Sequence, residues 1–266
     1  NHESGERELF DQVIDSMKET KLSIKYPAVT NVSSPNAVIR RICNFSVILR
    51  PVISIKGIKS NFTEDVFLHI VRIATGGTYD DPGRMVSKDS AISLRLVERD
   101  PCRQAARFAF EFAWKKGLHV TSSSKYTIQR ATDGLFQQVV DDVHQDYKDI
   151  PHNIELFDAL LAKIILKPED YQVVVVINEY GDFLSDMASG LIGSIGTGAS
   201  GNFSFIDDDE VDIAMFDPSG DTAPDITGQN KCNPTAMLWA FGMLLDHIDH
   251  ELRLAMLSAI ADGICT

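Results

Sequence analysis

The most constraining feature of this sequence is a run of five β-branched residues at 173–177 that passes within a few residues into a helical pattern at 182–192. A strand without alternation of polar and apolar side chains is buried on both faces, which is typical of a parallel sheet covered by helices. Further strand patterns lie at 47–53, 67–73 and 211–216, and further helical patterns at 101–116, 133–144, 157–166 and 233–250. This alternation predicts an α/β fold.

The composition is that of a globular protein with an acidic surface. Of the 266 residues, 44% are apolar, and the formal net charge is −13. An acidic chain offers no domain-wide basic surface to nucleic acid, and no apolar run approaches the ~20 residues of a membrane helix. The four scattered cysteines argue against a disulfide framework and indicate a reducing compartment, the cytoplasm or, in a eukaryote, the mitochondrial matrix.

Positive charge is concentrated in one part of this acidic chain. The segment 21–63 contains seven lysines and arginines and no acidic residue. A solvated basic face is one interpretation of such a run. Arg40 and Arg50, however, stand among apolar residues, where a guanidinium needs a partner, and an oxyanion ligand is one candidate.

Two aspartates four residues apart form the sharpest chemical signal. Asp182 and Asp186 project from the same face of a predicted helix. Asp182 can also be read as the N-cap of that helix, but Asp186 lies among apolar neighbours, where an unpaired carboxylate is costly. A hard divalent cation such as Mg²⁺ or Mn²⁺ would relieve the repulsion between the two carboxylates. Asp158, also in apolar sequence, is a third candidate ligand.

Three further features are candidates of lower specificity. Lys125 follows a short strand, where α/β proteins place catalytic groups, and Tyr79 follows two glycines; a surface lysine and a packed tyrosine are the alternatives. The glycines at 196, 198 and 201 have dinucleotide-turn spacing, but they follow a helix rather than a strand. We therefore interpret 196–210 as a flexible loop.

Three motifs together resemble a known family. The first is Asn178-Glu-Tyr-Gly-Asp182-Phe-Leu-Ser-Asp186, similar to an NxxGDxxSD signature, and the second is the segment 223–236. The third is Ser34-Pro-Asn36-Ala-Val-Ile-Arg40, followed by Arg50 and a proline. In this order they resemble the β-decarboxylating dehydrogenases, which include the isocitrate, 3-isopropylmalate, homoisocitrate and tartrate enzymes. The resemblance is greatest to NAD-dependent isocitrate dehydrogenase.

The resemblance implies a two-domain α/β fold of the isocitrate/isopropylmalate dehydrogenase type, with the active site in the cleft between the domains. The discontinuous large domain, on the cofactor side, would comprise 1–45 and 192–266. It is expected to be incomplete at both ends, because the family's opening strand and C-terminal segment have no counterpart. The smaller domain, 46–191, would carry the metal site and the dimer contacts.

The resemblance also implies roles for individual residues. The implied substrate residues are Ser34, Asn36, Arg40, Arg50 and Arg72; the implied cofactor residues are Thr30, Asp225 and Asn233; the implied metal ligands are Asp158, Asp182 and Asp186; and the implied catalytic residues are Tyr79 and Lys125. In the family, Lys125 and Asp158 come from the neighbouring subunit. A homodimer or a higher oligomer with shared active sites is therefore expected.

The implied reaction is the Mg²⁺- or Mn²⁺-dependent oxidative decarboxylation of a 2-hydroxy polycarboxylate with NAD. Isocitrate to 2-oxoglutarate, a step of the tricarboxylic acid cycle, fits Ser34 and Asn36, which stand where isocitrate enzymes contact their distinguishing carboxylate. The 3-isopropylmalate, homoisocitrate and tartrate reactions are alternatives. Ile73, Thr127 and the pair Gly220-Asp221 depart from the family pattern, so a non-catalytic regulatory subunit of the same fold is a further alternative.

Overall fold

The computed structural model describes residues 2–27, 35–55, 57, 60–61, 65–193, 198–207, 210–219 and 223–249. Its α-helices are α1 (His2–Thr20), α2 (Pro35–Ile42), α3 (Arg99–Lys116), α4 (Thr132–His144), α5 (Phe157–Leu166), α6 (Asn178–Leu191) and α7 (Thr235–Ile248). Its strands are β1 (Leu22–Ile24), β2 (Val47–Ile53), β3 (Phe67–Ile73), β4 (Arg84–Ser87), β5 (Ser90–Ile92), β6 (Val120–Ser124), β7 (His152–Leu156), β8 (Val173–Val176), β9 (Ala199–Phe205) and β10 (Val211–Pro218). None of these helices is long and apolar enough to cross a membrane.

Eight strands form one mixed sheet in the order β1-β10-β9-β2-β3-β8-β6-β7, and β4 pairs with β5 in a separate hairpin. Strands β3, β8, β6 and β7 are parallel, so their carboxyl ends lie at the same edge. Strand β9 pairs antiparallel with β10 and with β2, and β2 also pairs antiparallel with β3. The strands of 1–45 and 192–266 meet those of 46–191 where β9 pairs with β2. The proposed division into two domains at this point stays a prediction.

Helices cover both faces of the sheet. Val173, Val175 and Ile177 pack on one face with α3, α4 and α7. Val174 and Val176 pack on the opposite face with α5 and α6. The absence of alternation at 173–177 therefore reflects burial on both sides, and the predicted α/β class is confirmed.

Two local predictions were wrong. The interpretation of 196–210 as a flexible loop fails because 199–205 form strand β9, in which Ala199 and Phe203 face the core. The small and polar residues of this strand do not show a strand pattern in the sequence. Ser200 and Asn202 are nevertheless buried, and both form hydrogen bonds within the protein. The helix predicted to begin at 182 is α6, which begins at 178, so Asp182 lies inside the helix and is not its N-cap.

Candidate active site

Five of the candidate residues lie at the carboxyl edge of the parallel strands. Tyr79 follows β3, Lys125 follows β6, and Asp158 is in the first turn of α5, directly after β7. Asp182 and Asp186 lie in α6, which begins directly after β8. In open α/β sheets this edge is where ligands bind.

Arg50 and Arg72 reach α6 because of their register in the sheet. In the antiparallel pair, Arg50 lies opposite Ile70 and Arg72 lies opposite Ile48. Ile70 belongs to the core beneath α5 and α6, so both arginines are on the face that α6 covers. Both are buried, with 8% and 2% of their surface exposed, so they need partners on α6.

Helix α6 supplies those partners from one side. The Nη1 group of Arg50 lies 3.1 Å from Asp182 Oδ1 and 3.6 Å from Asp186 Oδ1, and it donates to Ser185 Oγ at 2.6 Å. Arg72 Nη1 forms an ion pair with the same Asp182 oxygen. A single guanidinium that reaches both aspartates confirms that they share a helix face.

Asn178 orients the guanidinium of Arg72. Its Oδ1 accepts from Arg72 Nε at 2.9 Å and from Nη2 at 2.7 Å. Its Nδ2 donates to the backbone oxygen of Gly76 at 2.9 Å. Asn178 belongs to the signature motif, but sequence reasoning assigned it no role.

The arginines determine the ionisation of this cluster. Burial alone would raise the pKa of Asp182, but Arg72 and Arg50 outweigh it and hold that pKa below its usual value. Burial, with repulsion from Arg50, lowers the pKa of Arg72 to about 10. At neutral pH the cluster therefore contains an ionised Asp182 between two guanidinium groups.

Tyr79 is held in the protonated form. Its hydroxyl donates to Asp182 Oδ2 at 3.0 Å. Burial and the neighbouring carboxylate raise the pKa of Tyr79 to about 12. The phenol is therefore a proton donor at neutral pH, with 47% of the residue's surface exposed toward solvent or a ligand.

Arg40 is held by a second group of polar residues that sequence reasoning missed. Its Nε donates to Asn202 Oδ1 at 3.2 Å, and Asn202 Nδ2 donates to Asp217 Oδ1 at 3.1 Å. Lys25 Nζ lies 3.3 Å from the other oxygen of Asp217. Burial lowers the pKa of Arg40, although the Asp217 carboxylate acts against this. In the sequence, the only indications of this group are Lys25, which has no acidic residue near it in the chain, and the polar residues Asn202 and Asp217 within strands.

Lys125 and Asp158 form a separate pair. Lys125 Nζ donates to Asp158 Oδ1 at 2.5 Å, which lowers the pKa of Asp158. The backbone N–H of Lys125 donates to Asp133 Oδ2 at 2.6 Å. The partners of this lysine are thus Asp158 and Asp133, neither of which belongs to the Asp182 cluster.

The two parts of the proposed metal site do not meet within one chain. Asp182 and Asp186 are together, whereas Asp158 is beside Lys125. Among the described residues, no group of three or more His, Cys, Asp or Glu side chains is placed to hold a metal ion. The donor set of Asp182 and Asp186 suits a hard divalent cation, and Asp186 is accessible, with 60% of its side chain exposed.

The proposed cofactor loop borders an open depression of about 420 Å³. Its walls are formed by Ala223, Ile226, Thr227, Gly228, Asn230, Lys231 and Cys232. Asp225 is exposed beside it, and Asn233 Oδ1 accepts from the backbone N–H of Thr235 at 3.0 Å at the start of α7. Thr30 and Ser34 lie outside the described residues, as do Gly220 and Asp221. Asn36 is in the first turn of α2, and its buried Oδ1 has no hydrogen-bond partner in the described part of the chain.

The arrangement of arginines opposite paired aspartates agrees with a comparison of the whole sequence with known families. A family model described as isocitrate/isopropylmalate dehydrogenase matches residues 4–266. The chain belongs to this family. The family assignment drawn from the motifs is thereby confirmed.

Curated members of the isocitrate/isopropylmalate dehydrogenase family resemble the chain over most of its length. Isocitrate dehydrogenase [NAD] subunit alpha, mitochondrial, of Homo sapiens is 34% identical over 259 residues, covering 94% of this chain and 69% of that protein. Isocitrate dehydrogenase [NAD] subunit 2, mitochondrial, of Saccharomyces cerevisiae is 34% identical over 266 residues, covering 95% of this chain and 70% of that protein. The chain is thus an oxidoreductase homologue in a decarboxylating family.

Two solved structures share the fold of the chain. The isocitrate dehydrogenase of Methylococcus capsulatus superposes with a TM-score of 0.83 at 31% identity, covering 91% of this chain and 72% of that one. The TT0538 protein of Thermus thermophilus gives a TM-score of 0.83 at 28% identity, covering 91% of this chain and 49% of that one. This agreement confirms the isocitrate/isopropylmalate dehydrogenase fold for the chain.

Proposed function

We propose that this protein catalyses the metal-dependent oxidative decarboxylation of isocitrate to 2-oxoglutarate with NAD. The observation that carries the proposal is the convergence of Arg50 and Arg72 on Asp182 and Asp186, with the protonated Tyr79 at the same carboxylate. The carboxylates of a polycarboxylate substrate would bind the arginines, and a divalent cation would bind the aspartates. The positive and the negative side chains of the cluster would then each have a ligand of opposite charge.

The arginines bind the substrate's carboxylates. Arg50 Nε is buried without a hydrogen-bond partner among the described residues, so this donor is available to a ligand oxygen. Arg72 and Arg40 are each oriented by an asparagine, which leaves the guanidinium plane fixed for bidentate contact. Asn36 and Ser34 would contact the third carboxylate of a tricarboxylic acid.

A divalent cation, Mg²⁺ or Mn²⁺, would be held by Asp182 and Asp186 together with Asp158 from a second copy of the chain. When bound, such an ion stabilises negative charge on the substrate's oxygens. The aspartates also orient the substrate, because their shared helix face is opposite the arginines.

Two residues move protons. Lys125, through the carboxylate of Asp158 with which it is paired, would help to remove the proton of the substrate's hydroxyl group. Tyr79 Oη would donate its proton to the carbon that loses carbon dioxide, since its pKa of about 12 keeps the phenol protonated.

NAD would bind along the loop that carries Asp225 and Asn233, with Thr30 near the nicotinamide. When bound, NAD would supply the hydride acceptor. An exposed carboxylate at 225 accepts hydrogen bonds from ribose hydroxyls and repels a 2′-phosphate, which favours NAD over NADP.

A dimer follows from the separation of the two half-sites. Lys125 and Asp158 would complete the active site of a second copy, and the segment 46–191 would form the dimerising domain. The β4–β5 hairpin supports this, because all seven of its residues are exposed and an isolated hairpin is unstable in water. Large apolar side chains elsewhere in 46–191 or in the hairpin itself are also exposed, namely Met85, Leu94, Ile154, Leu166 and Phe183. In a eukaryote we expect the mitochondrial matrix, as for the relatives named mitochondrial, and otherwise the cytoplasm.

A regulatory subunit of the same fold is the second candidate function. It is favoured by the departures Ile73, Thr127 and Gly220-Asp221, since the last pair removes the family's adenine-stacking histidine. The retained Tyr79 and Lys125 favour the enzyme.

NADH formation by the full-length protein with Mn²⁺ tests the proposal. Isocitrate should be turned over faster than 3-isopropylmalate, homoisocitrate or tartrate. Asp186→Asn should abolish turnover, and Asp149→Asn, an exposed site beyond α4, is the matched control with wild-type activity. Preference for another of these acids would correct the substrate. Binding of isocitrate with no turnover of any of them would support the regulatory subunit.

A further inference from the structure

A largely buried arginine outside the residues discussed above lies between the two half-sites. Arg95 follows β5, and the backbone of the next residue, Leu96, pairs with Gly77: Gly77 N donates to Leu96 O at 2.7 Å and Leu96 N donates to Gly77 O at 3.0 Å. This pairing fixes Arg95 next to the segment that leads to Tyr79. Only 14% of the Arg95 side chain is exposed.

Arg95 joins two buried carboxylates on different helices. Its Nη1 lies 2.6 Å from Asp133 Oδ1 in α4, and its Nε lies 2.6 Å from Glu179 Oε1 in α6. The carboxylates are 0% and 6% exposed. The guanidinium also lies over the ring of Tyr180, 4.9 Å from its centroid. Nη1 thus donates a hydrogen bond to Asp133 and Nε is in ion-pair contact with Glu179, whereas Nη2 has no hydrogen-bond partner among the described residues.

The first carboxylate leads to the catalytic lysine. Asp133 Oδ1 faces Arg95, and its Oδ2 accepts from the backbone N–H of Lys125 at 2.6 Å. Lys125 Nζ in turn donates to Asp158 at 2.5 Å. The orientation of Asp133 therefore decides where the Lys125 backbone, and with it the ammonium group, is placed.

The second carboxylate leads to the substrate arginine. Glu179 is adjacent to Asn178, whose Oδ1 holds Arg72. Glu179 is pressed against the backbone of the β3–β4 connection, since a Cβ at Gly77 would lie only 2.0 Å from Glu179 Oε2. Asn178 also donates to Gly76 in that connection. A shift of Glu179 would therefore move the first turn of α6 and the partner of Arg72.

We propose that Arg95 is a positioning residue that sets the Lys125–Asp158 pair and the Arg72–Asp182 cluster at a fixed separation within each subunit. The proposal rests on the proposed function, in which the two groups serve proton transfer and substrate binding. Arg95 touches neither substrate nor cofactor and acts through Asp133 and Glu179. A buried ion triad is by itself weak evidence of stability, so the value of this one lies in the geometry that it imposes on both groups.

The effects of Asp133 and Glu179 on activity can be measured separately with isosteric variants of the full-length protein. Asp133→Asn should lower kcat for isocitrate about tenfold and leave KM nearly unchanged, because only the lysine loses its alignment. Glu179→Gln should raise KM about tenfold with a smaller change in kcat, because Arg72 is displaced. Arg95→Lys keeps the charge but not the fork, and should show a weaker form of both defects.

Two measurements do not depend on turnover. Calorimetry with tricarballylate, a tricarboxylate without the hydroxyl group, should show weaker binding to Glu179→Gln but not to Asp133→Asn. Labelling by acetic anhydride with peptide mass spectrometry should show altered reactivity of Lys125 in Asp133→Asn but not in Glu179→Gln. If wild-type protein does not turn over isocitrate yet these asymmetries hold, the proposed function fails and the role of Arg95 stands.

A purely structural role gives a different result. Both variants would then lower the midpoint of thermal unfolding, while kcat, KM, tricarballylate binding and Lys125 reactivity of the folded protein would match wild type. That outcome, or equal effects of the two variants on kcat and KM, would overturn the proposal.

Discussion

The side chain of Arg72 lies directly against the backbone of Gly181. A Cβ at position 181 would be 2.6, 2.7 and 2.9 Å from the Cβ, Cγ and Cδ atoms of Arg72, closer than real side chains approach one another. This contact lets the arginine run along α6 and place its guanidinium between Asn178 and Asp182. The glycine of the signature motif is therefore required by packing.

Gly181→Ala should displace Arg72 or lift α6 from β3. Because small misplacements of binding groups are costly, we expect KM for isocitrate to rise about tenfold to a hundredfold. Gly190→Ala in the same helix is the matched control, since a Cβ there meets nothing within 4 Å. The control should change the free energy of unfolding by less than about 1 kcal/mol and leave KM unchanged. Equal KM values for the two variants would show that the Arg72 contact has no role in binding.

Shared active sites should be detectable by subunit mixing. Tyr79→Phe and Lys125→Met should each be inactive, because each damages both sites of its homodimer. After unfolding and refolding of an equal mixture, hybrid dimers contain one intact site, so about a quarter of wild-type activity should return. NADH formation measures the recovery.

The control mixture combines Lys125→Met with Asp158→Asn. These residues form one ion pair on the same half-site, so every hybrid site carries a defect and activity should stay absent. If the first mixture also stays inactive, the site is complete within one chain.

The hydroxyl group of Tyr79 should ionise at a higher pH in the folded protein than in the unfolded chain. Its pKa of about 12 predicts that the tyrosinate absorbance of wild type and of Tyr79→Phe differ little up to about pH 11. A raised folded-state pKa contributes stability that is present below the unfolded value of 10.0 and is lost as the pH rises through about 12. Asp182→Asn should lower the midpoint of the Tyr79 titration, because it removes the neighbouring negative charge. An unchanged titration midpoint in this variant would show that Asp182 does not affect the ionisation of Tyr79.

His152 should make the protein less stable in mild acid. Burial and the nearby His144 lower the pKa of His152 from 6.5 to about 4. Between about pH 6.5 and pH 4, this histidine binds a proton in the unfolded chain but stays neutral in the folded chain. The free energy of unfolding therefore decreases as the pH falls through this range. Urea unfolding across this range should give a shallower pH dependence for His152→Asn. An identical slope in the variant would assign the acid sensitivity to other groups.

Much of the fold could be predicted from local patterns. Strands 47–53 and 67–73 coincide with β2 and β3, and the run at 173–177 marks the strand buried on both faces. Strand β9 was missed because its buried Ser200 and Asn202 are polar, and both hydrogen-bond Asp217 on the neighbouring strand. A partner 15 or more residues away in sequence leaves no local signal.

The sequence by itself determined the α/β class, the family and the residue types of the site, because hydrophobic periodicity and motif spacing are local properties of the chain. Only the tertiary structure decided which charges meet. It assigns Arg50 and Arg72 to Asp182, places Lys125 with Asp158, and joins both groups through Arg95. The physical reason is that a buried charge must find its partner in space, and the sheet register that brings such partners together connects residues far apart in the sequence.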